Sequence, residues 1–372
     1  MRHLSEIIEI IDAGLKNNPR KLNNYAELLA TKLDNENDGE SAEKIRKALL
    51  KNKTIPMASQ NLLLKDLPVD GESRLPLAQI DTFENEDIQL ILPDNTLLQI
   101  HEYIDVINRS DELLAKGIKA HRNLLLSGPP GTGKSHTAKY IAKKANIPLV
   151  TVRVDGLISS FLGSTSKNIR QLFDYVNNKP CILFLDEFDA FAKMRDDSHE
   201  LGELKRVVNT LLQNIDSIKK PIIAATNHEH LLDSAVWRRF DYKIKLGLPD
   251  EKLRIELLNI FLSQEQLYQN NKDLFSALTK GMSGSDIEQF SDAIKTNEIL
   301  SNNKLTMQNI YKVYLRFKNS SDMPILDKNN QDIIVAKNLW QESNIDIRTL
   351  SELTGVPKTT LHRAIKEENK NE

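Results

Sequence analysis

Apolar residues follow two different spacings along this chain, and the change between them divides it into regions. Residues 1–52 show only the three-to-four-residue spacing of amphipathic helices, which predicts a small bundle of three helices. From residue 82 onward, short apolar runs alternate with helical spacings, and such alternation predicts a parallel sheet with helices on its faces. The strand candidates are Asn123–Ser127, Leu149–Val154, Cys181–Leu185 and Pro221–Ala225.

The strand pattern stops after residue 248, and helical spacing alone continues beyond it. The predicted order is a helical bundle, a proline-bearing linker, an α/β core, a helical lid, a second linker and a small all-helical C-terminal domain. The corresponding ranges are 1–52, 53–81, 82–248, 249–318, 319–330 and 331–372. The predicted fold class is therefore α/β, a parallel sheet sandwiched by helices and followed by a helical lid, with small all-α domains at both ends.

The most specific motif is a glycine-rich loop between a predicted strand and a predicted helix. It matches the pattern G-x-x-x-x-G-K-[ST] and consists of Gly128, Pro129, Pro130, Gly131, Thr132, Gly133, Lys134 and Ser135. Glycines let backbone N–H groups wrap around phosphates, and the N-terminus of the following helix adds positive potential. We expect Lys134 to contact the β- and γ-phosphates and Ser135 to bind Mg²⁺. His136 stands where a dinucleotide-binding loop has its third glycine, and we include it in the nucleotide-binding segment.

Polar residues follow two further strands at their carboxyl ends, where parallel sheets place their chemistry. Asp186 and Glu187 come directly after one strand, and Asn227 follows another. Asp186 suits coordination of Mg²⁺, and Glu187 suits the general base that activates a water molecule. The amide of Asn227 can hold that water between the base and the γ-phosphate. Together with the phosphate loop, these residues predict phosphoryl transfer from a nucleotide to water.

With these parts in view, the chain between about 120 and 318 resembles the AAA+ ATPases, specifically the AAA subgroup that includes katanin, spastin and the proteasomal ATPases. Residues 128–135 resemble its Walker A motif, 182–190 its Walker B motif and 222–249 its second region of homology. The resemblance implies ATP and Mg²⁺ as cofactors and a homo-oligomeric ring, most simply a hexamer. It also implies that hydrolysis remodels, unfolds or threads a protein client, and it places Gly284 next to the nucleotide.

Two further assignments come from the resemblance alone. Arg238 and Arg239 stand where the subgroup has arginine fingers, which reach the γ-phosphate held by the neighbouring subunit. The alternative is a surface basic pair. Phe161, Leu162 and Gly163 match the first pore loop, whose aromatic side chain contacts a polypeptide in the central channel. The alternative is that Phe161 and Leu162 pack in the core.

The C-terminal piece shows a helix, a glycine turn and a second helix, which is the helix-turn-helix pattern. The second helix would face a DNA groove with five polar side chains: Lys358, Thr359, Thr360, His362 and Arg363. The alternative use of this helix pair is packing or protein contact. A DNA-directed AAA ATPase is therefore the alternative function, and a nucleotide-gated binding switch with slow turnover is a third. The N-terminal bundle is equally compatible with partner binding and with packing on the motor.

Composition refines this picture. Lys and Arg total 50 against 52 Asp and Glu, giving a net charge of -2, which argues against a wholly basic surface for nucleic acid but not against one local basic helix. Cys181 is the single cysteine, so an internal disulfide is excluded. No run approaches the roughly 20 apolar residues of a membrane helix. We therefore expect a cytoplasmic protein without a membrane partner.

Overall fold

The structure is a computed structural model of the 372-residue chain. The residues it describes are 3, 7–8, 10–11, 19–35, 38–51, 67–70, 74, 76–83, 87–118, 122–153, 162–190, 203–301, 305–318, 328–343 and 345–368. They divide into two compact units. Unit one lies within residues 1–90, 98–127 and 134–245, and unit two within 91–97, 128–133 and 246–372.

The described strands are β1 (Gln79–Asp81), β2 (Asn123–Ser127), β3 (Leu149–Arg153), β4 (Ile182–Asp186), β5 (Ile222–Thr226) and β6 (Tyr242–Lys245). The described helices are α1 (Pro19–Asn35), α2 (Gly39–Lys51), α3 (Asp94–Asn108), α4 (Ser110–Ala115), α5 (Lys134–Ala145), α6 (Leu162–Asn177), α7 (Glu203–Ser217), α8 (Ser234–Trp237), α9 (Glu251–Phe261), α10 (Gln266–Asn270), α11 (Lys272–Leu278), α12 (Gly284–Leu300), α13 (Met307–Lys318), α14 (Lys328–Ser343), α15 (Ile347–Thr354) and α16 (Lys358–Glu368). A 3₁₀ turn, Glu229–Leu231, follows β5.

Unit one is organised around a six-stranded sheet in the order β1-β3-β4-β5-β2-β6. All neighbouring strands are parallel except β1, which pairs antiparallel with β3 at the edge. Successive residues of β4 and β5 are buried, so both faces of the sheet are covered, as expected for a parallel sheet with helices on each side. The predicted α/β class is confirmed.

One face of the sheet carries the main core of unit one. Leu183 of β4 packs in a cluster with Phe173 of α6 and Leu211 of α7, and each of these side chains is buried. Cys181 lies in the same cluster, and burial raises the pKa of its thiol to about 12. A thiol in such surroundings is inert at neutral pH.

The C-terminal end of the predicted linker contributes to this unit. Leu77 joins the core cluster, and β1 forms the sheet edge, where Thr151 of β3 donates a hydrogen bond to Asp81 at 2.9 Å. Asn168 of α6 donates to Asp70 at 2.8 Å, and both side chains are buried. The segment over 76–81 is therefore part of the packed fold.

Of the three helices predicted before residue 52, the second and third are present as α1 and α2. They pack against each other through small buried residues, including Ala30 and Ala42, and Arg46 pairs with Asp34 at 2.7 Å. The first predicted helix falls largely outside the described residues.

Unit two is all-helical beyond residue 246 and has one hydrophobic core. The lid helices α9 to α13 contribute Leu258, Phe275 and Phe290 to it. The C-terminal helices α14 and α15 contribute Leu339 and Leu350 to the same cluster. Among the described residues, none of the helices in either unit combines the length and apolar character that crossing a bilayer requires.

Candidate nucleotide-binding site

The glycine-rich loop directly follows β2 in the chain, and its residues 128–133 belong to unit two, where backbone and side-chain atoms lie close to them. A Cβ atom at Gly128 would lie 2.0 Å from the carbonyl oxygen of Leu246, so no other residue fits there without moving backbone. Gly131 has a φ of +74°, and a Cβ there would lie 2.3 Å from Oγ of Ser283. Within the loop, Thr132 donates a hydrogen bond to the carbonyl oxygen of Pro129 at 2.8 Å. The loop conformation therefore depends on its glycines.

The start of α12 contacts this loop. Ser283 and Asp286 form a reciprocal capping box, and the backbone N–H of Ser285 donates to the carbonyl oxygen of Gly131 at 3.1 Å. Gly284, predicted to approach the nucleotide, is the first residue of α12 and adjoins Gly131. A helix N-terminus carries positive potential, so α12 presents the favourable end of its dipole to a phosphate-binding loop.

Unit one supplies the lysine and the oxygen ligands of the motif. Lys134 opens α5, and burial lowers the pKa of its ammonium group, opposed by the carboxylates of Asp186 and Asp189. Ser135 donates a hydrogen bond from Oγ to Oδ2 of Asp186 at 2.9 Å. A hydroxyl and a carboxylate oxygen so close together are hard ligands of the kind that Mg²⁺ binds, so these two residues fit the predicted metal site.

Glu187, the predicted general base, has an unusual backbone. Its φ is +56°, in the left-handed region. Non-glycine residues rarely adopt this conformation, because it costs about 1 kcal/mol or more. Its N–H donates to Oδ1 of Asp186 at 3.0 Å, and its side chain is exposed. The turn at the end of β4 therefore presents the Glu187 carboxylate to solvent, where a water molecule can reach it.

A residue that sequence reasoning missed connects the ends of β4 and β5. Asp189 is buried, and its Oδ1 accepts hydrogen bonds from Oγ1 of Thr226 at 3.1 Å and from the N–H of Asn227 at 3.3 Å. The N–H of Phe188 also donates to the carbonyl oxygen of Ala225 at 2.8 Å. The turn that carries the predicted base is thus fixed to the turn that carries Asn227. An aspartate three positions after Asp186 was a signal available in the sequence.

A second set of contacts connects the ends of β2, β5 and β6. Ser127 donates a hydrogen bond to Oε2 of Glu229 at 2.8 Å, and Lys245 pairs with the other oxygen of the same carboxylate. The hydrogen bonds from Lys245 and Ser127 lower the pKa of Glu229. Because Ser127 directly precedes Gly128, this ion pair helps to position the strand from which the phosphate loop leaves.

His136, included in the predicted nucleotide-binding segment, contacts the segment before α3. Its ring nitrogen Nε2 is 2.8 Å from the carbonyl oxygen of Gln89, a residue of the segment before α3, and the ring is exposed. As a donor, Nε2 holds that segment against the start of α5.

The two arginines predicted as fingers have different surroundings. Arg239 donates from Nε and Nη2 to Oδ2 of Asp216 on α7, at 3.2 and 2.9 Å, and also bonds to the carbonyl oxygens of Leu212 and Ala235. Its side chain is 23% exposed. Arg238 is exposed at the C-terminal end of α8. Arg239 is bonded within its own chain, whereas Arg238 has no side-chain hydrogen bond or ion pair among the described residues.

The remaining predicted residues are placed as follows. Phe161 lies outside the described residues, and Leu162 and Gly163 form the first turn of α6. The five residues predicted to face DNA are all exposed on α16. Pro129 and Pro130 are exposed on the phosphate loop.

Comparisons with known proteins agree with this site. The family model described as "ATPase family associated with various cellular activities (AAA)" matches residues 124–248. An uncharacterized AAA family ATPase of Sinorhizobium fredii is 41% identical over 191 residues, covering 50% of this chain and 57% of that protein. A proteasome-activating nucleotidase of Saccharolobus solfataricus is 35% identical over 206 residues, covering 52% of each. The chain thus spans little more than half the length of these relatives.

A solved structure, the FIGL-1 AAA domain in complex with ADP, superposes with a TM-score of 0.54 at 20% identity, covering 74% of this chain and 94% of that one. This likeness supports the fold. The predicted cofactors, ATP and Mg²⁺, are those of the matching family. Residues 124–248 therefore match the AAA family, and over this range the chain is similar to AAA ATPases.

Proposed function

We propose that this chain is a Mg²⁺-dependent ATPase whose subunits complete one another's sites in a ring and use hydrolysis to remodel a protein client. The observation that carries the hydrolytic part is the group at the ends of β4 and β5. Ser135 and Asp186 offer paired oxygen ligands, Glu187 projects into solvent, and Asp189 holds the Asn227 turn beside them.

In this mechanism the protein mainly positions the reactants and stabilises the charge that develops in the transition state. Lys134 places its charge on the β- and γ-phosphates, and these anions favour the ammonium form, which burial disfavours. Mg²⁺, when bound, neutralises charge on the phosphate oxygens. Glu187 accepts a proton from the attacking water, and the Asn227 amide orients that water toward the γ-phosphorus.

The ring follows from the arginine finger assignment. A guanidinium exposed at the end of α8 is available to a neighbouring subunit, and it stabilises charge that develops on the transferred phosphoryl group. Arg238 has that exposure. Arg239, bonded to Asp216, we assign to holding α8 in place. The client role is supported by the relatives named proteasome-activating nucleotidases, and Phe161, Leu162 and Gly163 are the residues we propose to grip the client.

The proposal is tested with Glu187→Gln, which keeps size and removes the base. We expect ATP binding and ring assembly to persist while the hydrolysis rate falls at least 10²-fold. The matched control is Glu256→Gln, the same change at an exposed residue of α9, and it should leave the rate unchanged. Turnover at the wild-type rate in Glu187→Gln would remove Glu187 from the base role.

The client part is tested separately. Glu187→Gln rings held with ATP should retain a client protein in a pull-down, and Phe161→Ala in the same background should release it. A client retained equally by both variants would contradict a threading role for Phe161 while leaving the hydrolysis proposal intact.

A further inference from the structure

The outward face of α16 carries a cluster of basic and hydroxyl side chains that the ATPase chemistry does not use. At 3.6 residues per turn, five of its side chains fall within an arc of about 140°. They are Lys358, Thr359, His362, Arg363 and Lys366, and all five are exposed. Leu361 and Ile365 fall outside this arc and are buried. The helix is therefore fixed by one face and presents the other.

The local fold explains why this face is presented. Asp346 caps α15 by accepting from the N–H groups of Arg348 and Thr349, and Gly355 ends it with a φ of +79°. Three residues then separate α15 from α16, and Ser351 donates to the carbonyl oxygen of Val356 at 2.7 Å, which tightens the turn. Helices α14, α15 and α16 contact one another pairwise. This is a helix-turn-helix arrangement with α16 as its second helix.

The charge of this face is complementary to a polyanion. Within the described part of the chain, the side chains of Lys358, Arg363 and Lys366 form no ion pair. The nearest acid in sequence among the described side chains, Glu352, pairs instead with Arg348 at 3.1 Å. An eleven-residue helix is about 16 Å long, and the major groove of B-form DNA, about 12 Å wide, admits such a helix.

We propose that the face of α16 binds duplex DNA in the major groove. Lys358 and Arg363 contact phosphates or guanine edges, and Thr359 and His362 offer hydrogen bonds to bases and backbone. This inference does not depend on ATP hydrolysis. A ring that repeats the helix in each subunit raises the total affinity of an individually weak site.

The test measures fluorescence anisotropy of a labelled mixed-sequence duplex, about two helical turns long, against the full chain between 50 and 200 mM salt. We expect the affinity of the wild-type chain to fall linearly with salt on logarithmic axes. The double variant Lys358→Ala/Arg363→Ala should bind at least tenfold more weakly at the lowest salt, with a slope smaller by about 2.

The matched control is Lys252→Ala/Lys312→Ala, which removes the same charge from exposed positions on α9 and α13 and should bind as the wild type does. Arg363→Lys keeps the charge and should retain most of the affinity, which separates a contact effect from a folding defect. Absence of duplex binding by the wild type, or equal losses in both double variants, overturns the proposal. An acidic peptide that displaces the duplex at equal charge concentration also overturns it, in favour of a protein partner.

Discussion

The division of roles between Arg238 and Arg239 gives the sharpest prediction, because adjacent and chemically identical side chains should fail in different ways. The Arg239 guanidinium donates two hydrogen bonds to Asp216 and further bonds to backbone carbonyls, at 23% side-chain exposure. The carboxylate partner is 52% exposed, so solvent screens the pair. Truncation by Arg239→Ala should therefore cost about 1–2 kcal/mol of unfolding free energy, a few degrees of melting temperature.

Arg238→Ala removes an exposed side chain and should leave the melting temperature unchanged. Its ATPase rate should fall about 10³-fold, because an arginine finger contributes on that scale. Asp216→Ala should lower stability as Arg239→Ala does, and a double-mutant cycle should return a coupling of about 1 kcal/mol. Calorimetry measures the first set of effects, and steady-state phosphate release measures the second.

Mixing two inactive variants separates action in trans from action in cis. Subunits with Glu187→Gln still carry Arg238, so in mixed rings they should restore hydrolysis at the intact Glu187 of Arg238→Ala neighbours. Arg239→Ala should retain activity at temperatures where it is folded and gain nothing from mixing. If Arg239→Ala instead unfolds like the wild type, loses hydrolysis and is rescued by Glu187→Gln subunits, then Arg239 acts in trans and the assignment is wrong.

Two further predictions concern the residues that hold the site. Asp189→Asn weakens the acceptor for Thr226 and Asn227, so kcat should fall while the Kd for ATP, measured by titration calorimetry, changes little; a fall in ATP affinity alone would contradict a role through Asn227. The Glu229 carboxylate has a pKa below its ordinary value of 4.5 because Lys245 and Ser127 hydrogen-bond it, so its stabilisation is present above pH 4.5 and is lost as pH falls through the lowered pKa. Glu229→Gln should therefore be less stable than wild type at pH 7, by less than about 1 kcal/mol, and the two should converge in acid denaturation; a constant difference across pH would refute the ion pair as its cause.

The elements of the core were predictable because short apolar runs and the 3.6-residue spacing of helices are local patterns. Each of the four predicted strands matches an observed strand within about one residue at either end. The phosphate loop was recognisable for the same reason, because its chemistry is contained in eight consecutive residues. Sequence signals are strongest where a single continuous segment contains all the residues of a function.

What the sequence did not reveal depends on pairing between distant segments. The role of Asp189 requires that β4 and β5 be neighbours, and the engagement of Arg239 requires that α7 lie beside α8. The strand Gln79–Asp81 has three residues, too few for a periodic signal, and it is recognised only by its partner β3. The sequence of each segment therefore identifies candidate site residues, and the tertiary contacts determine which of these residues interact.

The C-terminal helices illustrate how such contacts change the choice of experiment. The sequence presents residues 331–372 as a separable domain, for which deletion would be the natural test. In the structure, Leu339 and Leu350 lie in one core with lid residues such as Phe290, and Tyr311 donates a buried hydrogen bond to Asp332 at 2.7 Å. Deletion would uncover that core and leave the Tyr311 hydroxyl without its acceptor, so loss of ATPase activity would follow from damage to the lid. Exposed substitutions on α16 avoid this damage, because their side chains contribute nothing to the shared core. The same packing connects the start of α12 to the C-terminal helices through a continuous set of packed side chains. Measuring DNA affinity with and without nucleotide would therefore show whether nucleotide binding is coupled to DNA binding.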